Sequence, residues 1–505
     1  MNMASSVDYG DVQGLVRFGY PRMTEACYFL VRVKNASATR AWLASAPITS
    51  AVKLEQPPNT ALQVAFTREG LEALGVPQNV IARFSGEFIS GMAVDENRSR
   101  RLGDIDANSP ANWQWGTDGN VPHAVVMLFA EPGLLDEWKQ SIKEKSWQGG
   151  FEEMHCLPTS DIGGREPFGF VDGISQPEID WEQTRKVPIN GNEREYSNAV
   201  ALGEFLLGYP NEYGRYTDRP LLDPVDRGSS ELPFAEDQAN NKDLGRNGTY
   251  LVLRQLAQDV RGFWKFLDKA TNSNPEERCR LGSYMVGRVL ADGSPLMPLS
   301  PLAIPGVGAA RDGLTKNMFT FDSDIEGTHC PYGAHIRRAN PRNADIPGAP
   351  KGLISTLIRI LGFGNKNLRD DLTASTRFHR LIRRGREYGP KLTPEEALQP
   401  APENDPERGL HFFAINSNIQ RQFEFVQSAW LMGTKFDGLT EESDPLIGNR
   451  SPVAGCPFTN TFSIPQSRTV RRRIMDVPQF ITVRGGAYFF LPGMSALRYL
   501  SRLGD

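Results

Sequence analysis

Long apolar runs are missing from this sequence. None of its uninterrupted apolar stretches reaches the roughly 18 residues that a membrane-spanning helix requires. The opening segment, MNMASSVDYGDVQG, also lacks the apolar core of a secretory signal. These two absences predict a protein that does not insert into a membrane and that stays in the cytoplasm.

Cysteine is scarce and a net basic charge is absent. The five cysteines are an odd number without paired spacing, which argues against a disulfide framework and against a CxxC metal site. The net charge is −4 and the isoelectric point is about 6.0, so no overall positive field favours nucleic acid. The arginine-rich stretches at 98–101 and 471–473 are local and typical of solvated faces. We expect reduced thiols, a cytosolic setting and no nucleic-acid partner.

What the sequence does contain is an aspartate locked between glycines. The segment GFVDGISQP, residues 169–177, is too turn-prone for a helix and too apolar for an ordinary surface loop. Gly169 and Gly173 allow backbone angles closed to other residues, so the Asp172 carboxylate can be held against a ligand. The alternative is a turn aspartate that bonds its own backbone, as Asp beside Gly commonly does.

Two downstream segments add a histidine and several arginines. CPYGAHIRRANPR, residues 330–342, places His335 among three arginines, and HRLIRRGREYG, residues 379–389, contributes Arg383. Histidine is rare in the chain, with only six copies. A lone histidine is usually structural or merely exposed, so the arginine-rich setting is what distinguishes His335.

The three segments, in this order, resemble the dye-decolorizing peroxidases, haem enzymes that use hydrogen peroxide. The resemblance covers nearly the whole chain, including DVQGLVRFGY at 11–20, FISGMA at 88–93 and GGAYFFLPGMSAL at 485–497. It implies haem b as cofactor, with one iron per chain. It gives Asp172 and Arg383 catalytic positions on the distal, peroxide-binding side and makes His335 the proximal metal ligand.

The resemblance also implies residues that support the haem. Arg338 and Arg342 are cofactor-binding candidates because guanidinium groups suit paired contacts with propionates. Asp444, in DPLIG, falls where the family has the acceptor for the other ring proton of the ligand. An Asp before Pro is equally a common turn opener. Leu410 and Phe412, two apart on a predicted strand, face one side and wall the distal pocket by resemblance.

The predicted elements favour an α+β fold. YFLVRV at 28–33 is a buried strand followed by a helix through Trp42, and YLVLR at 250–254 with a helix through Trp264 repeats the plan. An offset of 222 superposes the two copies, which indicates an internal duplication. Strand, helix and strand with antiparallel pairing is typical of ferredoxin-like units. The family resemblance implies two such halves, with antiparallel sheets packed with helices and the haem cavity in the C-terminal half.

We place the N-terminal half, which carries the GFVDGISQP loop, at residues 1–215. The C-terminal half, which carries the iron ligand, spans 245–505. Residues 180–247 are rich in Asn, Asp, Glu and Gly, a composition typical of a long surface excursion. The chain departs from the family pattern at 350–367, an inserted amphipathic element that we expect to cover the haem entrance. It also departs at Glu387, where proline is frequent in the family.

Peroxide cleavage needs a base that moves a proton and a cation that stabilises developing charge, and Asp172 and Arg383 fit these roles. An unperturbed aspartate has a pKa of ~3.9, so activity should favour low pH. We expect Asp172 to dominate, because Gly385 loosens the loop after Arg383 and Arg384 can partly replace that arginine. The reductants that the family implies are dyes, phenols or similar molecules, oxidised by one-electron steps. Bulky ones should react through a surface Trp or Tyr radical.

Other interpretations stay open at this point. A haem carrier or sensor would share the ligand but would not need both Asp172 and Arg383. A non-haem metal site, or a thiolate-bound haem, would draw on His329, Cys330 and His335, although a second ligand pair at zinc-finger spacing is missing. The sequence is compatible with a homo-oligomer and does not name the physiological reductant.

Overall fold

The computed structural model describes residues 6–93, 95–143, 145–184, 198–297, 316–342, 375–453 and 455–504. The predicted insertion at 350–367 lies outside the described residues. Within them, no helix combines the length and the apolar character needed to cross a membrane.

The main structure is a sheet of nine strands: β1 (Glu25–Val33), β2 (Thr60–Phe66), β3 (Ala124–Ala130), β4 (Phe151–Pro158), β5 (Thr249–Gln258), β6 (Ile382–Arg383), β7 (Arg386–Tyr388), β8 (Gly409–Asn416) and β9 (Ile481–Leu491). Small strand pairs lie outside it: Glu178–Asp180 with Ala199–Ala201, Leu221–Leu222 with Lys242–Asp243, and Phe462–Ile464 with Arg472–Ile474.

The α-helices are α1 (Ala36–Ser45), α2 (Arg68–Ala73), α3 (Gln78–Ile81), α4 (Gly86–Ser90), α5 (Glu96–Leu102), α6 (Leu135–Ile142), α7 (Lys145–Gly150), α8 (Val260–Ala270), α9 (Pro275–Val286), α10 (His335–Ala339), α11 (Pro394–Leu398) and α12 (Met494–Ser501). Residues 420–431 form π-helical turns. Local caps fix several starts. Asp259 accepts from the Gly262 amide at α8, and Asn274 accepts from two amides at α9, where Pro275 occupies the first turn.

The strand order is β6-β8-β5-β9-β2-β3-β1-β4, with β7 also paired to β8 and every neighbouring pair antiparallel. The N-terminal strands run in the order 2-3-1-4 of a ferredoxin-like unit, and the C-terminal strands repeat that order. The predicted α+β architecture is therefore confirmed. The two sheets are joined edge to edge, with Phe490 of β9 registered against Phe66 of β2. The domain boundaries at 215 and 245 stay a prediction.

Strand β1 shows why these strands read as continuous apolar runs. Cys27, Phe29 and Val31 belong to the core beneath the helices, whereas Tyr28 and Leu30 belong to a second core on the other face of the sheet. Both faces are covered, so the strand has no polar side.

The two cores also correct the sequence offset. Tyr28 packs in the second core, whereas Tyr250 packs in the core beneath the helices, together with both Trp42 and Trp264. An offset of 222 residues is therefore wrong for the strands, because an odd slip in a strand moves each side chain to the opposite face. It brings Trp42 onto Trp264, but the helix caps Asn35 and Asp259 are 224 residues apart.

Candidate active site

A cavity of about 240 Å³ lies on the helix-covered face of the C-terminal strands, in the half where it was predicted. Leu410 and Phe412 project into it from β8, as their two-residue spacing predicts. Most of the wall is apolar, with contributions from Leu256, Val286, Phe423, Val426, Trp430, Leu431, Leu446 and Ile481. Polar and charged side chains make up the rest of the wall, and they include two histidines, two carboxylates and several arginines.

His335 is the first residue of α10, directly after a turn in which the Ala334 amide donates to the carbonyl of Pro331. Its Nδ1 lies 2.9 Å from Oδ2 of Asp444. Asp444 is fully buried, whereas the His335 side chain is 33% exposed and lines the cavity. The Nε2 atom makes no hydrogen bond with any described residue. A nitrogen in this state is a free ligand position.

Asp444 serves both of the roles considered for it. Its Oδ1 accepts from the amides of Leu446 and Ile447 at 2.9 and 3.0 Å, which is the turn, while Oδ2 accepts from the imidazole of His335. Burial works toward a higher pKa for Asp444, but the imidazole and the Ile447 amide hold that pKa below its ordinary value. A carboxylate therefore fixes the imidazole with Nδ1 as donor and increases the basicity of its other ring nitrogen.

The other histidines of the motif regions are less suited to ligation. His379 also lines the cavity, but its ring stacks on Phe425 at 3.7 Å and its Nδ1 contacts the carbonyl of Arg421, with no carboxylate among the described residues bonded to it. Burial lowers the pKa of His379 to about 4. His329 does not line the cavity, and its side chain is 57% exposed beside Asp324.

A site built from His329, Cys330 and His335 is not assembled. Burial raises the pKa of the Cys330 thiol to about 12, so the sulfur stays protonated and is a poor metal ligand. No group of three or more His, Cys, Asp or Glu side chains in the described parts of the chain could hold a metal ion.

Asp172 and Arg383 meet in the same cavity. Nη1 of Arg383 donates to Oδ1 of Asp172 at 2.8 Å, and both side chains are partly exposed there. Gly169 and Gly173 have φ angles of +102° and +78°, a region that favours glycine, so the loop takes its path because these residues lack a side chain. Burial favours a higher pKa for Asp172, but the guanidinium of Arg383 and the amide of Gly173 hold the pKa below the ordinary value.

Gln176 ties the aspartate loop to the strand that carries Arg383. Its Oε1 accepts from the Arg383 amide at 3.0 Å, and its Nε2 donates to the Arg383 carbonyl at 3.1 Å. The carbonyl of Gln176 accepts in turn from Asn317 at 2.9 Å. Arg383 lies in β6 opposite Ala414 of β8, so the arginine is held from two directions.

Glu166 is a cavity residue that the sequence analysis missed. Its carboxylate accepts from the amides of Phe168 and Phe170 at 3.0 and 2.9 Å and from Gln258 of β5 at 2.8 Å. These bonds hold the start of the aspartate loop against the sheet. Burial raises the pKa of Glu166 to about 7. The acidic residue just before PFGF, in GGREPFGF, was the available signal.

The structure does not bring Arg338 and Arg342 to the cavity. Arg338 is buried and donates to the carbonyls of Trp430, Gly433 and Glu442 at 2.8 to 2.9 Å. Arg342 is buried and donates to main-chain carbonyls of 317 and 319. Their described contacts hold loops together, because a buried guanidinium satisfies several carbonyls at once. That these two arginines bind the cofactor stays a prediction that the cavity lining does not support.

Arg254 of β5 is a second residue that the sequence analysis missed. It lines the cavity at 2% exposure, and its Nη2 pairs with the buried carboxylate of Asp104. Its Nε and Nη1 atoms have no hydrogen-bond partner in the described structure. Buried guanidinium donors without acceptors are costly, so an acceptor is expected when the site is filled. The signal in the sequence was a cation within the apolar run YLVLRQLA.

These features fit the haem that the sequence resemblance implies. The apolar wall suits a large flat ring, the free Nε2 of His335 suits iron, and the unpaired donors of Arg254 suit a carboxylate. Asp172 and Arg383 reach the cavity from segments other than the one that carries His335. The pair and the histidine can therefore occupy different parts of the cavity wall.

Comparisons with known proteins place the chain in a family. No protein-family model matches it. It is 31% identical over 517 residues to the dye-decolorizing peroxidase msp1 of Mycetinis scorodonius, covering 98% of this chain and 88% of that protein. It is also 31% identical over 355 residues to a multifunctional dye peroxidase of Amycolatopsis, covering 68% of this chain and 62% of that protein.

Solved structures agree with these relatives. The crystal structure of a decolorizing peroxidase from Auricularia auricula-judae superposes with a TM-score of 0.71 at 26% identity and covers 98% of this chain and all of that one. A dye-decolorizing peroxidase engineered in its heme pocket for asymmetric sulfoxidation has a TM-score of 0.70 at 27% identity, covering 98% of this chain and all of that one. The chain belongs to the dye-decolorizing peroxidase family and is a haem-dependent peroxidase.

Proposed function

We propose that the cavity binds one haem b per chain, and that the protein reduces hydrogen peroxide while it oxidises organic reductants by one-electron steps. The observation that carries the proposal is the meeting of two pairs in one cavity. His335 is backed by Asp444, and Asp172 is paired with Arg383. A carrier would need the first pair alone.

His335 holds the iron through Nε2, and the carboxylate of Asp444 orients the imidazole and increases its basicity. Arg254 pairs with a propionate through the donors that have no partner in the described structure. When bound, haem supplies the redox chemistry that amino-acid side chains lack. The protein supplies position, protons and charge.

Asp172 accepts the first proton of peroxide and returns it to the departing oxygen. The pair with Arg383 keeps the carboxylate ionised, because it holds the pKa of Asp172 below the ordinary value against the opposing effect of burial. An ionised carboxylate is the form that can accept a proton, and general acid–base catalysis of this kind contributes roughly 10²- to 10⁴-fold.

Arg383 stabilises negative charge on the departing oxygen. Its guanidinium is fixed by Asp172 and its backbone by Gln176, so it does not have to reorganise while the bond breaks. A single preorganised donor of this kind is worth roughly 10²- to 10³-fold in rate.

The relatives suggest the reductants. They are dye-decolorizing and dye peroxidases by name, and we propose dyes, phenols or similar molecules for this chain. Phenols are small enough to approach the cavity, whereas a large dye has to give up its electron at the surface.

We further propose a cytoplasmic protein, since all five cysteines are free. The separation of N-terminal and C-terminal halves at 215 and 245 belongs to the same proposal.

Absorption spectroscopy of the haem-loaded protein, before and after peroxide, tests the proposed function. We expect a histidine-type haem spectrum, a spectral change when peroxide is added, and a return to the starting spectrum when a phenol is supplied in excess. Asp172→Asn is the matched control, because it should bind haem normally while it reacts slowly. A haem spectrum that peroxide leaves unchanged would favour a carrier or sensor. A thiolate-type carbonyl spectrum would contradict His335 as ligand.

A further inference from the structure

Two thiols lie next to each other at the edge of the sheet farthest from β6. Cys27 belongs to β1 and Cys156 to the edge strand β4, which is antiparallel to β1. In the register, Phe29 faces Cys156 and Cys27 faces Pro158. The two cysteines are thus diagonal neighbours on one face of the sheet. Their thiols lie within hydrogen-bonding reach of each other.

The two thiols differ in access to solvent. Cys27 is fully buried in the core beneath the helices, whereas Cys156 is exposed. Both are free thiols. A dissolved oxidant therefore meets Cys156 first, and Cys27 is the protected thiol behind it.

Two lysines place positive charge near the exposed thiol of Cys156. Lys139 of α6 and Lys143 just after that helix both act on Cys156, and the Lys143 Nζ atom lies 4.0 Å from the ring centre of Phe29, the residue opposite Cys156. The hydrogen bond from Cys27 and the two lysines lower the pKa of Cys156 to about 7, although burial and Glu153 act in the other direction. A lowered pKa increases the thiolate fraction near neutral pH, and the thiolate is the nucleophile.

We propose that Cys156 and Cys27 form a peroxide-reactive thiol pair that closes to a reversible disulfide between β1 and β4. In the first step the thiolate sulfur of Cys156 attacks one oxygen of hydrogen peroxide. A sulfur–oxygen bond forms, the oxygen–oxygen bond breaks, and the departing hydroxide takes a proton to become water. The sulfur loses two electrons, and the peroxide gains them.

In the second step the sulfur of Cys27 attacks the sulfenic acid of Cys156. The sulfur–sulfur bond forms, the sulfur–oxygen bond breaks, and the thiol proton of Cys27 leaves with the hydroxide as a second water molecule. The hydrogen bond with Cys156, burial and the charge of Cys156 together raise the pKa of Cys27. Oxidation of Cys156 removes the charge, so Cys27 becomes easier to deprotonate at the moment when its attack is needed.

The pair adds a modification site to a peroxidase and lies at the far end of the sheet from the haem cavity. Its oxidant is the peroxide that the enzyme consumes, and an external dithiol would reduce the bond again. A disulfide at this position ties the edge strand β4 to β1. Strand edges are where sheets open and pair wrongly, so the link protects the edge when peroxide is abundant.

The test uses the haem-loaded protein, first reduced with dithiothreitol and desalted. It is then treated with a few equivalents of hydrogen peroxide, quenched with catalase, alkylated under denaturing conditions and digested for mass spectrometry. We expect the alkylated thiols to fall from five to three, with one new peptide that joins Cys27 to Cys156. Dithiothreitol should restore all five. The oxidised protein should also melt at a higher temperature than the reduced protein.

Three variants separate the steps. Cys156→Ser should lose no thiol under the same treatment, and Cys27→Ala should accumulate a sulfenic acid at Cys156 that dimedone traps. Cys279→Ser is the matched control, because it removes a cysteine elsewhere and should still form the linked peptide. All three should retain peroxidase activity. Asp172→Asn should form the disulfide at the unchanged rate, because the thiol reaction does not use the haem.

Several outcomes would overturn the proposal. One is five alkylated thiols after peroxide, and another is oxidation of Cys156 to sulfinic acid without the linked peptide while Cys27 is present. A third is a disulfide whose formation stops in Asp172→Asn, since that result would assign the oxidation to the haem site.

Discussion

His335 and Asp444 show how one residue gains a role from another that is 109 positions away. We expect His335→Ala to express as folded protein with severely reduced haem content, because the only cavity-lining imidazole backed by a carboxylate, within the described residues, is lost. Haem content per chain and the melting temperature together measure this. His329→Ala is the control, since its exposed side chain lies outside the cavity wall. Full haem content in His335→Ala would contradict the ligand assignment.

Asp172 and Arg383 should both be costly to replace. We expect Asp172→Asn to slow the reaction with peroxide by roughly 10²- to 10⁴-fold and Arg383→Leu by roughly 10²- to 10³-fold. The idea that Arg384 partly replaces Arg383 does not hold, because Arg384 donates to the carbonyls of Leu15 and Val16. Stopped-flow mixing with peroxide measures both rates. Near wild-type speed in Asp172→Asn would contradict the proton transfer.

The ion pair also sets the pH dependence. Asp172 acts as a base only when it is ionised, and Arg383 holds its pKa below the ordinary value, so activity should persist into acid. In Arg383→Leu the lowering influence is lost while burial still raises the pKa, so the acid limb of the pH profile should move to higher pH. Asp172→Asn should lose this limb. Peroxide reaction rates across the acidic range measure the shift, and an unmoved limb in Arg383→Leu would assign it to another group.

Sequence patterns identified the residues whose spacing or neighbours are local. Asp172 between glycines, and Leu410 with Phe412 two apart, are found where the pattern puts them. The sequence did not show which arginines line the cavity, because whether a guanidinium meets a cavity or a carbonyl depends on residues distant in sequence. Arg338 donates to carbonyls, whereas Arg254 lines the cavity with two donors that have no partner in the described structure.

At the scale of elements, the joint between the aspartate loop and β6 controls the distal geometry. Gln176 bonds both the amide and the carbonyl of Arg383. We expect Gln176→Ala to lower kcat/KM for peroxide by about 10-fold or more with little change in haem content, because a small displacement of preorganised groups is costly. Steady-state kinetics at saturating reductant measure it. Gln176→Glu is the matched control, since it retains the acceptor for the Arg383 amide and should lose less.

The sequence located the strands and helices of the repeat but not the offset between its two copies. The runs at Tyr28 and Tyr250 were recognised as strands, and the helices after them follow as expected. The offset of 222 put Tyr28 and Tyr250 on opposite faces, because both faces of these strands are apolar and no alternation marks the register. It was also wrong for the helices, since the caps Asn35 and Asp259 are 224 residues apart.

At the scale of the whole molecule, the strands of both halves join in one nine-stranded sheet, and the two halves share cores. Residues of β1 and of β5 belong to the same cluster beneath the helices, although the ferredoxin-like order is repeated in each half. The sequence predicted two units because the repeat is visible along the chain. It did not predict the junction of β9 with β2, because pairing between edge strands leaves no periodic pattern in either strand.

The cavity is too small for a bulky dye, so the oxidation of such a dye requires a route for electrons between the cavity and the protein surface. Tyr213 is 56% exposed and stacks on Phe378, with ring centres 4.3 Å apart. Phe378 precedes His379, which lines the cavity. The exposed Tyr213 is thus linked to the cavity wall by one aromatic stack and one peptide bond, and this turns the expectation of a surface Trp or Tyr radical into one about a particular residue.

We expect Tyr213→Phe to lower turnover of a bulky dye several-fold while oxidation of a small phenol and the reaction with peroxide stay unchanged, because the phenol needs no surface radical. Spin trapping with peptide mapping after peroxide should place a radical on Tyr213 in the parent protein. Tyr216→Phe is the matched control, because Tyr216 bonds Glu236 and does not stack on the cavity segment. Unchanged dye turnover in Tyr213→Phe, with a protein radical still present, would assign the radical to another aromatic residue. Dye turnover without any protein radical would contradict surface oxidation itself.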